Sequence, residues 1–290
     1  MSATILWGKT YAKKLKDETK EKIAEFTEKT GITPGLAVII VGEDPASQVY
    51  VRNKHTTCAE MGINSQVIEL VPTISKDELI ATIENLNNDS NIHGILLQLP
   101  LPKALHKYEN ELLYRINPLK DVDGFHPVNA GRLSIGEKCM VPCTPLGCIK
   151  MLELAGISLD GKNAVIIGRS NIVGKPMANL LLAKNATVTV CHSHTRNLQQ
   201  IAATADILVA AVGKPNFVTA DMIKPGAVVI DVGINRIAPK KITGDVDFTT
   251  VKEKAGFITP VPGGVGLLTI AMLMHNTLEA AMLQQTQQNR

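Results

Sequence analysis

A tyrosine and a lysine four residues apart, Tyr50 and Lys54 in "EDPASQVYVRNKHTTCAEMG", form the first pair in this chain whose types and spacing could do chemistry. Asp44 can cap a helix whose first residue is Pro45, and Gly62 can end it. Tyr50 and Lys54 then share one helical face. Such a pair is common on ordinary helices; Gln98 gives this one more meaning. It stands at the end of the apolar run "GILLQLPLP". A polar residue embedded in such a strand needs a partner, and the carboxyl ends of strands are where α/β sheets hold ligands. A third polar cluster follows in "PLKDVDGFHPVNAG". Its D-x-D-G looks like the start of a calcium loop, but Phe125 occupies a position that requires Asp or Asn and no glutamate follows at the right distance, so calcium is rejected. Asp121 and Asp123 could equally stabilise a turn.

The stretch "VIIGRSNIVGKPMANLLL", Val165 to Leu182, almost spells a dinucleotide-binding fingerprint. A buried strand runs into Gly168 and a helical pattern follows, but Ser170 replaces the middle glycine and the next glycine is Gly174. Serine enforces a wider approach, while its hydroxyl and the amides at the helix start can still donate to phosphate oxygens. About 20 residues further on, a site for NAD normally offers an acid to the ribose hydroxyls. Here "VTVCHSHTRN" has no acid and presents His192, Ser193, His194, Thr195 and Arg196. Hydroxyls and potential cations suit a 2′-phosphate, so NADP is favoured; a polar loop without a ligand is the alternative.

The elements that must position these groups read as two α/β series. Up to about Gly136, helices alternate with the strand-like runs "GLAVIIVG", "SQVIEL" and "HGILLQLPLP", as parallel α/β units do. From about Val141 a second series, "AVIIG", "ATVTVC", "DILVAAVG" and "AVVIDVG", is spaced as in a half-Rossmann unit. The apolar "LLTIAMLMHNTLEAAML" reads as a closing helix that could pack back on the first domain. A chain of 290 residues suffices for two such domains. With 45% hydrophobic residues, 20% charged residues and a net charge of +3, it reads as a soluble protein with no nucleic-acid or membrane partner. Five cysteines without a C-x-x-C pair indicate neither a disulfide framework nor a zinc site. No signal peptide or run approaching membrane length is evident, and a cytoplasmic location is expected.

Taken in order, "YVRNK", "GILLQLPLP", "KDVDGFHPVNAGRL", "PCTPLG", "GRSNIVGKP", "ATVTVCHSHT", "GDVDF" and "TPVPGGVG" resemble the bifunctional methylenetetrahydrofolate dehydrogenase/methenyltetrahydrofolate cyclohydrolase family over nearly the whole chain. The resemblance implies a folate-binding catalytic domain over 1–139 and 268–290, and a Rossmann-type NADP-binding domain over 140–267. It also implies a cleft between them for the folate, and a homodimer. It assigns Tyr50 to stacking on the pterin and aminobenzoyl rings, Asp121 to the pterin N–H groups, and Lys54 to catalysis with Gln98 beside it. Leu99, Pro100, Pro262, Gly263 and Gly264 join the folate site; Gly168, Arg169, Ser170, Gly174, Ser193, Thr195 and Ile234 line the cofactor. In one departure, the family usually continues "PGGVG" with Pro-Met-Thr, whereas this chain has Leu267, Leu268 and Thr269. The missing proline removes a pre-set φ at the start of the last helix.

The implied chemistry is hydride transfer from the methylene carbon of the folate to NADP⁺, leaving a delocalised amidinium, followed by hydrolysis to 10-formyltetrahydrofolate. Only hydrolysis needs proton traffic, for which Lys54 is the candidate. Two other readings compete. An amino- or hydroxy-acid dehydrogenase with Lys54 as base would need a cationic clamp, and the motifs around Lys54 offer only Arg52. A non-catalytic NADP sensor would leave Lys54, Gln98 and Asp121 unconnected.

Overall fold

A computed structural model describes residues 2–238 and 241–288. In the first half of the chain the elements are β1 (Thr4–Ile5), α1 (Gly8–Thr30), β2 (Gly35–Val41), α2 (Pro45–Met61), β3 (Asn64–Leu70), α3 (Lys76–Asn88), β4 (Gly94–Leu97), α4 (Glu109–Leu113) and α5 (Pro127–Ser134). Then come α6 (Cys143–Leu154), β5 (Asn163–Ile167), α7 (Gly174–Leu182), β6 (Thr187–Cys191), α8 (Leu198–Ala202), β7 (Ile207–Ala210) and β8 (Val228–Asp231). The chain closes with β9 (Asn235–Ala238), β10 (Lys241–Thr243), α9 (Phe248–Val251), β11 (Phe257–Ile258) and α10 (Gly266–Gln288). They form two compact units, one of Leu15–Cys143 with Met272–Arg290, the other of Met1–Lys14 with Thr144–Ala271.

The first unit is built on a parallel sheet in the order β3-β2-β4. β2 is buried at all seven positions, as a central parallel strand covered on both faces must be, which is why "GLAVIIV" does not alternate. Ile39, Ile95 and Leu97 from the sheet pack with Leu79 and Ile83 of α3 and Leu112 of α4. α2 starts where its sequence indicates: the Asp44 carboxylate accepts from Ser47 N at 2.8 Å, Pro45 is the first residue, and Gly62 closes the helix at φ 77°, a left-handed conformation that glycine adopts without strain. Asp121 forms an isolated parallel bridge with Ile95, and Ile95 N donates to Lys120 O at 2.7 Å. The 118–126 loop is thereby laid alongside β4.

The second unit carries an all-parallel sheet in the order β1-β11-β8-β7-β5-β6. Strands β5 to β8 match the expected half-Rossmann series. The N-terminus departs from the expected 1–139 domain: β1 extends this second sheet, with Thr4 opposite Phe257 and Ile5 opposite Ile258, and Leu6 N donates to Ile258 O at 2.8 Å. Two-residue strands carry no periodicity from which such a pairing could be read. The antiparallel pair β9 and β10 was equally invisible.

α10 contributes to both units, and its first six residues belong to the second. By length and composition it could cross a membrane, its most apolar 18-residue window having a mean hydropathy of 1.3, and it is longer than the apolar runs expected from the sequence. Packing accounts for the apolarity, since Met272, Leu273, Met274, Leu278 and Ala281 are buried. Within the first unit Asn276 Nδ2 donates to Val122 O and Val141 O at 2.8 Å, and Gln284 Nε2 to His93 O at 2.8 Å, so the helix does pack back on that unit.

Candidate active site

Lys54 sits one turn after Tyr50 on α2, and the two differ in burial: Lys54 is 9% exposed and Tyr50 42%. The ammonium donates to Gln98 Oε1 at 2.9 Å, and Gln98 Nε2 donates to Leu99 O at 2.7 Å. Gln98 is half-buried just past β4, with its backbone N–H on Ile39 O. Burial pushes the Lys54 pKa below its ordinary 10.5, opposed by Asp123, Cys143 and Cys58. A neutral glutamine orients the amine without fixing it as a cation, as a bonded carboxylate would. The amine is thus buried and oriented. Pro100 is exposed beside this group.

In the second unit, Gly168 ends β5 at φ 132°, and a Cβ there would overlap Ala211 O. Gly174 opens α7 so close to the preceding turn that a Cβ would overlap Gly168 O. Ser170 Oγ accepts from Val173 N at 3.1 Å and more weakly from Gly174 N at 3.4 Å. The serine in the middle fingerprint position therefore ties the turn to the start of α7 and retains its O–H as a donor. Arg169 and Ser170 are exposed. After β6, Ser193 is exposed, while Thr195 Oγ1 accepts from His192 N at 2.8 Å and shapes the turn. No acid lies between Cys191 and Leu198. Ile234, after β8, is 52% exposed.

The loop before α10 is tightly folded on its own unit. Gly263 lies at φ 99° with Trp7 3.7 Å from where a Cβ would be. A Cβ at Gly264 would overlap Pro260 O, one at Gly8 would overlap Gly264 O, and Gly8 N donates to Gly263 O at 2.8 Å. These glycines therefore have an intramolecular reason to be there. Pro262 is exposed.

Two family descriptions match the chain, the tetrahydrofolate dehydrogenase/cyclohydrolase catalytic domain over residues 6–123 and the NAD(P)-binding domain of the same family over residues 142–285. The chain belongs to the tetrahydrofolate dehydrogenase/cyclohydrolase family. It is 59% identical to the bifunctional protein FolD of Moorella thermoacetica over 97% of this chain and 99% of that one. Among solved structures, the FolD methylenetetrahydrofolate dehydrogenase/cyclohydrolase of Campylobacter jejuni is 50% identical with a TM-score of 0.93, covering 98% of this chain and 100% of that one. The Trypanosoma brucei dehydrogenase-cyclohydrolase complexed with NADP cofactor and inhibitor is 38% identical with a TM-score of 0.92, covering 98% and 99%.

Asp121 and Asp123, two positions apart, have different surroundings. Asp121, expected to face a pterin, is 2% exposed. Its Oδ2 accepts from His126 N at 2.8 Å and from Asn129 Nδ2, on α5, at 2.9 Å, tying it to the start of that helix. Burial raises its pKa, opposed by these bonds. Asp123, read from sequence only as a turn residue, is the carboxylate that interacts with Lys54. It is half-buried, and its pKa is pushed up to about 6 by burial, with Lys54 opposing, Asp121 adding and a Cys143 hydrogen bond opposing. Cys143 Sγ in turn donates to Val122 O at 3.3 Å and accepts from Asn276 Nδ2 at 3.5 Å. The two aspartates are two positions apart in one motif, and no local pattern distinguishes them.

The departure from the family pattern after "PGGVG" leaves α10 intact. The helix begins at Gly266, and Leu267 N donates to Gly264 O, a bond that proline could not make. Leu268 is fully buried against Gly147, and Thr269 Oγ1 lies 2.9 Å from Thr144 Oγ1. Leu267 itself is 42% exposed.

Proposed function

We propose that this protein oxidises 5,10-methylenetetrahydrofolate to 5,10-methenyltetrahydrofolate with NADP⁺ and hydrolyses the product to 10-formyltetrahydrofolate. The observation that carries this reading is the buried Lys54 amine held by neutral Gln98 with Asp123 nearby, in a chain of this family. NADP⁺, when bound, accepts the hydride. The residues suit that group: a glycine turn with exposed Arg169 and Ser170, an exposed Ser193 with no acid beside it, and an exposed Ile234. The relative from Trypanosoma brucei was solved with NADP.

Tyr50 offers an exposed aromatic face for stacking on the folate rings. Asp123 accepts hydrogen bonds from the pterin N–H groups. Leaving as hydride, hydrogen takes its electron pair, so the amidinium forms without a general base. In hydrolysis, water attacks that cation and Lys54 takes one of its protons; as the C–N bond breaks, that proton goes to the leaving nitrogen, and the remaining hydroxyl proton is released to solvent as the formyl C=O forms. Gln98 keeps the amine aimed throughout. We place the enzyme in the cytoplasm as a homodimer that supplies formylated folate for purine synthesis; sedimentation of the purified chain at the mass of a monomer would contradict the dimer. A spectrophotometric assay with methylenetetrahydrofolate and NADP⁺ tests the reading directly: NADPH must appear, and methenyltetrahydrofolate supplied alone must be hydrolysed.

Cofactor choice follows from the loop after β6. NADP⁺ is preferred over NAD⁺, and Ser193→Asp erodes that preference by repelling the 2′-phosphate. Equal kcat/KM for the two cofactors in the unmodified enzyme would remove this assignment.

A pH dependence follows from Lys54. The neutral amine is the proton acceptor, so cyclohydrolase kcat/KM rises with pH and levels off above the Lys54 pKa, on a limb lying below 10.5. The negative charge of Asp123 raises that pKa, so in Asp123→Asn the limb moves to lower pH. Displacement to higher pH would assign the limb to another group.

A further inference from the structure

Two buried carboxylates that the reaction does not use hold the loops at the carboxyl ends of β7 and β8. Asp245 is fully buried. Its Oδ2 accepts from Val212 N, at 2.6 Å, and Gly213 N, at 3.0 Å; its Oδ1 accepts from Lys214 N, at 2.9 Å, and Asn235 Nδ2, at 2.8 Å. Three consecutive backbone N–H groups after β7 and one side chain after β8 thus converge on one carboxylate. Asp231, at the end of β8, supports it from behind: its Oδ1 accepts from Gly233 N and Asp245 N, and its Oδ2 from Val246 N. The chain leaves room for both groups. A Cβ at Gly233 would overlap the Asp245 carboxylate, and one at Gly244 would overlap that of Asp231. Asp231 N is itself held by Thr259 Oγ1 at 2.7 Å.

In a doubly wound sheet a dinucleotide lies across the carboxyl ends of the strands, with its pyrophosphate at the first glycine turn. That turn follows β5, and the polar loop read as the 2′-phosphate contact follows β6, on one side of β5. β7 and β8 lie on the other side, where the nicotinamide half belongs. Ala211 packs directly against Gly168, and Ile234 lies between Gly233 and Asn235, two of the residues in the network. We propose that Asp245 is a positioning residue for hydride transfer. It fixes the 212–214 and 233–235 loops in the shape that receives the nicotinamide end of NADP⁺. This rests on the function proposed above.

The test compares Asp245→Asn with wild type. An asparagine can accept through only one of its two terminal atoms, so two of the four donors lose their acceptor. In the enzyme without cofactor, amide hydrogen exchange at residues 212–214 should accelerate at least ~10-fold, as expected for a lost charge-assisted bond, while exchange in β5 and β7 stays slow. The NADP⁺ Kd and the dehydrogenase kcat/KM should worsen roughly 10- to 100-fold, and hydrolysis of supplied methenyltetrahydrofolate should change less than about twofold. Asn235→Ala, which removes one donor and leaves the carboxylate, gives a smaller effect in the same direction if the first variant folds poorly. Unchanged exchange at 212–214, or equal losses in both activities, overturns the proposal. Faster exchange in a protein whose wild type binds no NADP⁺ would overturn the cofactor reading instead.

Discussion

Lys54→Met lowers cyclohydrolase activity by ~10²–10⁴-fold, the usual cost of removing a positioned acid or base, and lowers the dehydrogenase much less. Methionine keeps most of the side-chain length and its packing on α2 but cannot accept a proton or reach Gln98 Oε1, which Lys54 contacts at 2.9 Å. Hydride departure moves no proton, so only folate positioning suffers in the first reaction. Methenyltetrahydrofolate then accumulates as a released product. Initial rates of NADPH formation and methenyl hydrolysis, measured on one preparation, check this; a proportional fall in both would make Lys54 a structural residue. Stability changes in a known direction as well. The native Lys54 pKa is depressed, so the folded state binds this proton less tightly than the unfolded chain. Burying the cation therefore costs stability at neutral pH, and the cost shrinks as pH rises through the lowered pKa toward 10.5. Lys54→Met removes it.

Asp123→Ala and Asp121→Ala have opposite signatures. Loss of Asp123 removes a charge-assisted contact to the pterin, ~1.5–3 kcal/mol, so the folate KM of both activities rises roughly 10- to 150-fold. NADP⁺ affinity without folate stays unchanged. Loss of Asp121 instead leaves His126 N without its acceptor and the buried Asn129 Nδ2 with only its bond to Pro118 O, at ~1–3 kcal/mol for a buried donor left unpaired. Part of this is offset because a carboxylate whose burial raises its pKa no longer has to be desolvated. Thermal unfolding shifts down while folate kinetics of the folded enzyme stay near normal. A stable Asp121→Ala protein with raised folate KM, beside a normal Asp123→Ala, would restore the assignment made from sequence.

Much of the scaffold was legible because it is locally encoded. Asp44, Pro45 and Gly62 bound α2 through contacts spanning a few residues, and that alone places Tyr50 and Lys54 one turn apart. The buried runs of β2, β5, β7 and β8 announce parallel strands through their lack of alternation. The glycines of the β5–α7 turn were read as part of a dinucleotide fingerprint; in the fold they also leave room for Ala211 O beside Gly168 and for Gly168 O beside Gly174. Ser170 was legible as a polar group before the helix start, though not as the acceptor of Val173 N.

What only tertiary structure decided depends on groups distant in sequence. Gln98 needed a partner on sequence grounds, but its bond to Lys54 spans 44 positions. Asp121 and Asp123 share one motif, and their separation into a turn anchor and a neighbour of Lys54 comes from the bridge to Ile95, the bonds from His126 N and Asn129, and the packing of Cys143. β1 joins the second sheet through two residue pairs more than 250 positions apart, too short for any periodicity to announce. Asp245 appeared in sequence only as part of "GDVDF", with no sign that its carboxylate would gather N–H groups from residues 212–214, about 30 positions earlier. Helix caps and strand burial are set by neighbours along the chain, whereas the ionisation and partners of a buried polar group are set by whatever the fold brings against it.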